Sequence, residues 1–242
     1  MIDTHCHIDL YSKPENILFE CEKSGITVIA MTNLPSHFQM GLPHVLPFKR
    51  IRLALGMHPL HAKLHQKEFP LFLKNLSKTS YIGEVGLDFS REGFSTKDLQ
   101  LTSFAKILTC LSREKKILSL HSRRAEKEVL EHLQSSKIRA AIFHWYSGPL
   151  ALIDKIAGAG YYFSINPAMI QSENGQKIIS RIPVDKILPE TDGPFTEVSG
   201  RPSKPSDVAL VYHFLSKIWE KNLVEVDKII SANFQRLISH LK

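Results

Sequence analysis

The stretch Asp3-Thr4-His5-Cys6-His7 decides how the rest of this chain is interpreted. Successive side chains of a β-strand point to opposite faces, so a strand here places His5 and His7 on one face and Cys6 on the other. Two imidazoles at one strand end supply half of a metal site before the rest of the chain folds. A His-x-His pair also occurs on ordinary surfaces, so the interpretation depends on further ligands elsewhere in the sequence.

Eight short apolar runs alternate with longer amphipathic stretches. We predict strands over residues 1–9, 25–33, 50–58, 80–88, 115–122, 139–146, 161–166 and 187–192. Runs that are apolar almost throughout, such as Ile26–Met31, are typical of strands buried on both faces of a parallel sheet. A strand followed by a helix, eight times over, predicts an α/β fold of the (β/α)8 TIM barrel type. A doubly wound open sheet is the competing topology.

Helical periodicity fills the stretches between these runs. The spacing i, i+3, i+4 and i+7 gives a helix one apolar face. A clear case is the set Phe104, Ile107, Leu108 and Leu111. A last helix is predicted from about Leu223 to Leu241, which adds a C-terminal helix to the barrel. No linker rich in Pro, Gly or Ser divides the chain, so we expect one domain over residues 1–242.

Composition restricts the class of protein. The 31 Lys and Arg against 24 Asp and Glu give a net charge of +7, which favours an anionic partner, with nucleic acid ahead of a membrane surface. No run of 18 apolar residues is present, so no transmembrane helix is expected. The three cysteines, Cys6, Cys21 and Cys110, lack metal-type spacing. Together with the absence of a signal peptide, they predict a reducing, cytoplasmic location.

Four more ligand-type residues stand near the ends of later apolar runs. They are Glu84, His121, His144 and Asp192. In a (β/α)8 barrel the functional groups come from the C-terminal ends of several strands, so these side chains are expected to converge with His5 and His7. Four imidazoles and two carboxylates suit two divalent ions that share one carboxylate. Mixed nitrogen and oxygen donors disfavour a Ca²⁺ cage, and we predict two ions per chain, with Mg²⁺, Mn²⁺ and Zn²⁺ as candidates.

Taken in order, the motifs of this chain resemble those of the TatD family. They are Asp3-Thr4-His5-Cys6-His7, Gly56-Met57-His58-Pro59, Gly83-Glu84-Val85-Gly86-Leu87-Asp88, Leu120-His121-Ser122-Arg123, Phe143-His144 and Glu190-Thr191-Asp192. The resemblance extends from residue 2 to near the C-terminus. It implies a metal-dependent barrel of the amidohydrolase superfamily, in a branch whose characterised members are largely deoxyribonucleases.

The resemblance also implies two ligand sets that share Glu84. One set is His5, His7, Glu84 and Asp192, and the other is Glu84, His121 and His144. The expected reaction is hydrolysis of a phosphodiester, most simply as an exonuclease acting near DNA strand ends. We expect Asp192 to ligate a metal and accept the proton of the attacking water, while Glu84 holds the spacing between the two ions.

Five residues are candidates for substrate contacts. Arg123 and Arg201 match a phosphate with a bidentate guanidinium fork. His58 either donates a hydrogen bond to substrate or shapes the turn before Pro59. Trp145 and Tyr146 either stack on a base or pack beneath a helix.

The residues expected around the substrate depart from the family pattern. Arg124 stands where the family usually has Asp, and the sequence His144-Trp145-Tyr146-Ser147-Gly148 replaces the usual His-Cys-Phe-Ser-Gly. Arg201-Pro202-Ser203-Lys204-Pro205 lacks the usual Glu of Arg-Asn-Glu-Pro. Short divergent members occur in bacterial anti-phage operons, the Qat systems among them, and we consider membership of that branch, with antiviral defence as the role.

Two other functions stay open at the level of sequence. A metal-dependent hydrolase of this type cleaves an amide or a nucleotide-derived small molecule equally well, and the fold does not decide between them. The third alternative is a barrel that binds nucleic acid or a protein partner within a defence complex. Six intact ligand positions argue against it, because a scaffold has no need for both carboxylates.

Overall fold

Parallel β-strands form the centre of the protein, in a computed structural model that describes all 242 residues. The strands are β1 (Ile2–Cys6), β2 (Thr27–Ala30), β3 (Ile51–Leu53), β4 (Leu55–Met57), β5 (Tyr81–Gly86), β6 (Ile117–His121), β7 (Ala141–Phe143), β8 (Tyr162–Ile165) and β9 (Ile187–Pro189). They pair in parallel in the orders β1-β2-β3 and β4-β5-β6-β7-β8-β9. A short antiparallel hairpin, β10 (Glu197–Val198) with β11 (Arg201–Pro202), lies outside this sheet.

The third predicted strand is divided in two at Ala54. Its first part, β3, pairs with β2, and its second part, β4, pairs with β5. The Ala54 amide still donates to Ala30 O over 2.8 Å, so the chain stays beside β2 across the break. Thr32 holds the same point, because its hydroxyl donates to Ala54 O at 2.8 Å and accepts from Gly56 N at 3.1 Å.

The last strand returns to the first and closes the ring. The amide of Thr191 donates to Asp3 Oδ1 at 3.0 Å, and Asp192 N donates to His5 O at 2.8 Å. The hydroxyl of Thr4 donates to Pro189 O at 2.9 Å. The predicted (β/α)8 barrel is therefore confirmed, and the alternative of an open sheet is wrong.

Helices follow the strands and cover the outside of the ring. They are α1 (Pro14–Ser24), α2 (Pro35–Val45), α3 (His65–Asn75), α4 (Lys97–Leu111), α5 (Glu126–Ser135), α6 (Leu150–Gly158), α7 (Pro167–Gln171), α8 (Glu173–Arg181), α9 (Val208–Ile218) and α10 (Leu223–Ile238). All four apolar residues of the predicted stripe on α4 are buried. A helix at the predicted C-terminal position begins with a capping box, in which Asn222 and Glu225 each accept from the other's backbone amide. None of the helices combines the length and the apolar character needed to cross a bilayer.

Inside the ring, an apolar layer lies beneath a polar one. The apolar layer includes Ile29, Met31, Ala54, Ile117, Ile142 and Leu188, which pack together with Phe234 and Leu237 of α10. Alternate residues of a strand share a face, so the residue two positions after each of these strand residues points the same way. Two positions after Ile142 is His144, and two positions after Leu188 is Glu190. The apolar floor thus supports the buried polar groups at the C-terminal strand ends.

The close approach of β4 to Thr32 generates the first prediction. A Cβ added at Gly56 would lie 1.5 Å from Thr32 O, so Gly56→Ala must displace the backbone beside β5. We expect Gly56→Ala to lower the free energy of unfolding by at least ~2 kcal/mol, measured by denaturant titration.

Gly158, at the end of α6, is the matched control. A Cβ there meets nothing within 4 Å, so Gly158→Ala should leave stability unchanged or raise it by up to about 1 kcal/mol. Equal unfolding midpoints for the two variants would contradict the interpretation that β4 is held against Thr32.

Candidate metal centre

All six predicted ligands meet at the C-terminal end of the barrel, and Glu84 lies at their centre. The Oε2 atom of Glu84 lies 3.1 Å from His7 Nε2. The other oxygen, Oε1, lies 2.6 Å from His121 Nδ1 and 3.3 Å from His144 Nε2. His5, in β1, contributes Nε2 at 3.6 Å from Glu84 Oε2. Every one of these contacts joins residues far apart in sequence, as convergence of strand ends requires.

Asp192 completes the cluster from beyond the end of β9. Its Oδ1 atom lies 3.5 Å from His5 Nε2 and 3.9 Å from His7 Nε2. Ligand atoms close enough to share one ion occur in three groups. The groups are His5-His144-Asp192, His5-His7-Glu84 and His58-Glu84-His121.

The chemistry of this cluster fits bound cations. Asp192 Oδ1 is buried and has no hydrogen-bond donor, a costly state for a carboxylate unless a positive charge faces it. The Nε2 atoms of His5 and His7 face each other at 3.2 Å, so two neutral rings cannot both present lone pairs there without a proton or a cation between them. Mixed imidazole and carboxylate donors are the usual set for Zn²⁺ and Mn²⁺.

Hydrogen bonds behind the cluster fix the orientation of three imidazoles. The Nδ1 atom of His5 lies 2.8 Å from Ser119 Oγ, which leaves its Nε2 facing the centre. His121 presents Nδ1 to Glu84 because its Nε2 bonds Asp88 Oδ2 at 2.7 Å. Partners of this kind set the tautomer and direction of a ligating ring. The position of Asp88 four residues after Glu84, within the motif that ends at Asp88, was the available signal for this role.

His144 is oriented by Glu190, which sequence reasoning quoted in a motif without a role. Glu190 Oε1 lies 3.3 Å from His144 Nδ1 and accepts from Trp145 N at 3.2 Å. Asn166 donates to the same oxygen at 3.0 Å, and the hydroxyl of Ser164 bonds the other oxygen. Glu190 is fully buried, so these donors and the imidazole are what make its charge tolerable. An acidic residue closing a buried apolar strand was the signal in the sequence.

His58 lies closer to the cluster than its predicted substrate contact required. Its Nε2 is 3.4 Å from Glu84 Oε1, and it groups with Glu84 and His121 as a candidate ligand. Its Nδ1 accepts from Leu60 N at 3.2 Å, so it also shapes the turn that follows β4. The predicted role of His58 in the turn is thus present. The placement of its Nε2 as a candidate metal ligand beside Glu84 was not predicted.

The pKa values of the two carboxylates in the cluster are shifted in opposite directions. Burial raises the pKa of Asp192 to about 7. Burial alone would also raise the pKa of Glu84, but the imidazoles of His58, His144 and His121 outweigh it and hold the pKa well below its usual range. Glu84 is therefore a permanent negative charge at neutral pH. Burial lowers the pKa of His121, but its bonds to Asp88 and Glu84 outweigh this effect and raise it to about 9.

A pocket of about 440 Å³ opens above the cluster. Arg123 and Trp145 line it, as predicted for substrate contacts, together with Phe195 and Glu92, which the sequence reasoning did not assign. Arg123 Nη1 lies 3.8 Å from Glu92 Oε2, and both side chains are more than half exposed, so this ion pair is weak.

Two predicted substrate residues are placed elsewhere. Tyr146 is 1% exposed, packs against Phe143 and Phe163, and donates its hydroxyl to Pro149 O, so it has no face on which a base could stack. Its stacking role is therefore excluded by burial, and the alternative of packing holds. Arg201 does not line the pocket, and its guanidinium makes a bidentate pair with Asp207 at 2.7 and 2.8 Å. Its fork is used within its own loop and is not presented to the pocket.

The barrel and the buried cluster of imidazole and carboxylate ligands together define the class of this protein, a metal-dependent hydrolase. A family model described as TatD related DNase matches residues 2–239. The chain therefore belongs to the TatD family, as its motifs predicted.

Individual relatives agree with this assignment over their whole lengths. An uncharacterized metal-dependent hydrolase of Methanocaldococcus jannaschii is 26% identical over 96% of this chain and 94% of its own. The human deoxyribonuclease TATDN3 is 24% identical over 100% of this chain and 96% of its own. The crystal structure of the TatD homologue YjjV from Escherichia coli superposes with a TM-score of 0.88 at 23% identity, covering 98% of this chain and 97% of that one. The last likeness establishes the fold.

The role of Asp88 behind His121 generates the second prediction. Asp88→Asn keeps the shape of the side chain but removes the charge that orients and polarises the ring. We expect it to weaken Mn²⁺ or Zn²⁺ binding by about 10-fold, measured by calorimetric titration of chelator-treated protein.

The exposed Asp98, near the start of α4, provides the control, and Asp98→Asn should bind metal like the unaltered protein. If Asp88→Asn binds as tightly as Asp98→Asn, then Asp88 does not act through His121.

Proposed function

We propose that this protein hydrolyses phosphodiester bonds of nucleic acid, DNA foremost, at a centre of two divalent cations held by His5, His7, Glu84, His121, His144 and Asp192. The observation that carries the proposal is the placement of the two Glu84 oxygens. Oε2 faces His5 and His7, whereas Oε1 faces His121, His144 and His58. A carboxylate with separate donor sets on its two oxygens is suited to bridge two ions.

Each proposed role follows from position. The six residues would hold the cations, which when bound would lower the pKa of water and neutralise charge that develops on phosphate oxygens. Asp192 is the proposed acceptor of the proton of the attacking water, because its buried Oδ1 faces the cluster and has no hydrogen-bond donor of its own. Glu84 keeps the two donor sets together, and Asp88 and Glu190 keep His121 and His144 turned toward it.

Several observations favour phosphate over an amide as the group attacked. Arg123 stands in the pocket with a largely exposed guanidinium, a planar donor that matches a phosphate. The net charge of +7 favours a polyanionic substrate. A relative similar over the full length bears the name deoxyribonuclease. An amide or a nucleotide-derived small molecule is the second candidate, since the same centre also activates water toward a carbonyl carbon.

The two carboxylates of the cluster give the third prediction. Glu84→Gln and Asp192→Asn should each reduce hydrolysis of a single-stranded oligonucleotide by at least about 10²-fold in the presence of Mn²⁺ or Mg²⁺. The exposed carboxylates Glu114 and Asp185 provide matched controls, and Glu114→Gln and Asp185→Asn should keep full activity.

A substrate panel completes this test. RNA, dinucleotides and small amides are assayed beside DNA, with circular dichroism to show that each variant is folded. Folded Glu84→Gln with undiminished hydrolysis contradicts the proposed centre. Amide cleavage without phosphodiester cleavage supports the second candidate instead.

The contrast between the two predicted arginines gives the fourth prediction. Arg123→Ala should raise KM for an oligonucleotide about 10-fold and reduce the salt dependence of binding by about one phosphate contact. Arg201→Ala should change KM by less than about twofold, because Arg201 is engaged with Asp207 on an exposed loop. Equal effects of the two substitutions would remove Arg123 from the proposed phosphate site.

Metal content separates an enzyme from a binding barrel. The third alternative, a barrel that binds nucleic acid or a partner without catalysis, gains support if purified protein holds less than about one ion per chain at neutral pH. A cytoplasmic location, a Qat-type role in antiviral defence, protein partners and the single-domain organisation stay predictions.

A further inference from the structure

Phe195 is an aromatic side chain of the pocket that no role described so far explains. It lines the same pocket as Arg123 and Trp145, and it is 56% exposed. Its ring meets the ring of His7 edge to face, with centroids 5.1 Å apart. An apolar ring is therefore held beside a proposed metal ligand at the pocket, while more than half of the side chain stays exposed.

The backbone that carries Phe195 is fixed by hydrogen bonds. Phe195 N donates to Asp192 O at 2.8 Å, and the next residue, Thr196, donates its amide to the same oxygen at 3.3 Å. The Thr196 hydroxyl also donates to Thr191 O at 2.6 Å. A fixed backbone turn sets where the ring projects, which reduces the conformational freedom that is lost when a ligand stacks on it.

Trp145 reaches the pocket from a second strand end. It follows His144 directly, and its ring lies 6.5 Å from that imidazole. Its φ of 38° lies in the left-handed region, which is costly for a residue with a large side chain. The bond from Trp145 N to Glu190 Oε1 stabilises this conformation, which turns Trp145 to the pocket while Tyr146 enters the core.

We propose that Phe195, with Trp145, forms the base-recognising surface of this pocket, so that the protein selects substrates by a stacked nucleobase as well as by phosphate. The proposal rests on the phosphodiesterase function proposed above. A nucleotide presents one anionic group and one aromatic base, and the lining of the pocket offers the weakly paired guanidinium of Arg123 and two aromatic rings. Phe195 is thus a specificity-determining residue, since stacking on it discriminates a base-bearing nucleotide from a bare sugar phosphate.

Binding of hydrolysis products tests the proposal without turnover. The probes are thymidine 5′-monophosphate and its analogue without a base, 1,2-dideoxyribose 5-phosphate, together with the corresponding 3′-phosphates because strand polarity is open. Calorimetry on metal-loaded Phe195→Leu should show about 10-fold weaker binding of the nucleotide, with binding of the base-free analogue unchanged. Phe195→Tyr keeps a ring and should restore the affinity.

A control variant and a fluorescence measurement complete the test. Phe19→Leu replaces a similarly exposed phenylalanine, 64% exposed on α1 and outside the pocket, and should bind both probes like the unaltered protein. The chain contains two tryptophans, Trp145 and Trp219. In a Trp219→Phe background, the remaining fluorescence from Trp145 should be quenched by the nucleotide and left unchanged by the base-free analogue.

The possible outcomes distinguish failure of base recognition from failure of the proposed phosphodiesterase function. If Phe195→Leu weakens both probes equally, or neither, base recognition at Phe195 is overturned, and a protein that still cleaves DNA retains the proposed function. Steady-state assays on DNA provide a second criterion, because loss of stacking should raise KM with little change in kcat. If the metal-loaded protein binds neither probe and cleaves no phosphodiester, both the function and the inference fail.

Discussion

The burial of one negative charge constrains the rest of this structure. Glu84 is 2% exposed at the centre of the barrel mouth, and a buried carboxylate is tolerable only when positive or donor groups surround it. Five imidazoles from four other parts of the chain meet that requirement, those of His5, His7, His58, His121 and His144. Because these four parts of the chain are different strand ends or neighbouring turns, the ring must close with correct register for the charge to be compensated. Fold and site are thus two consequences of one electrostatic condition.

Around this centre lies a set of buried polar partners that orient its imidazoles. Asp88, Ser119 and Glu190 each bond the far nitrogen of one imidazole. Without them, the rings could rotate and present the wrong nitrogen, and the geometry at Glu84 would be lost. The apolar layer beneath supports these groups from below, since alternate residues of the same strands build both layers.

The rim of the pocket is organised differently from the centre. Its side chains project from turns beyond the strand ends, and backbone conformations there are less regular, with Trp145 and Arg124 in the left-handed region. Turns tolerate substitution better than a buried charge network does. This difference explains why the departures from the family pattern fall on the rim while the ligand positions are intact, and why specificity is where this chain has room to differ from its relatives.

The sequence by itself determined the barrel, the order of its strands and the identity of six of the residues that converge. It could do so because strand periodicity is two, because parallel strands place their C-terminal ends together, and because ligand-type residues stood at those ends. Only the tertiary structure decided where the side chains lie that follow the ligands by one or two residues. Trp145 and Tyr146 are neighbours of equal promise in the sequence, yet the positive φ of Trp145 places one ring at the pocket and the other in the core. The guanidinium of Arg201 pairs with Asp207 and does not reach the pocket. The positions of Phe195, Asp88 and Glu190 likewise depend on contacts between turns, and neither strand nor helix periodicity fixes the direction of a turn.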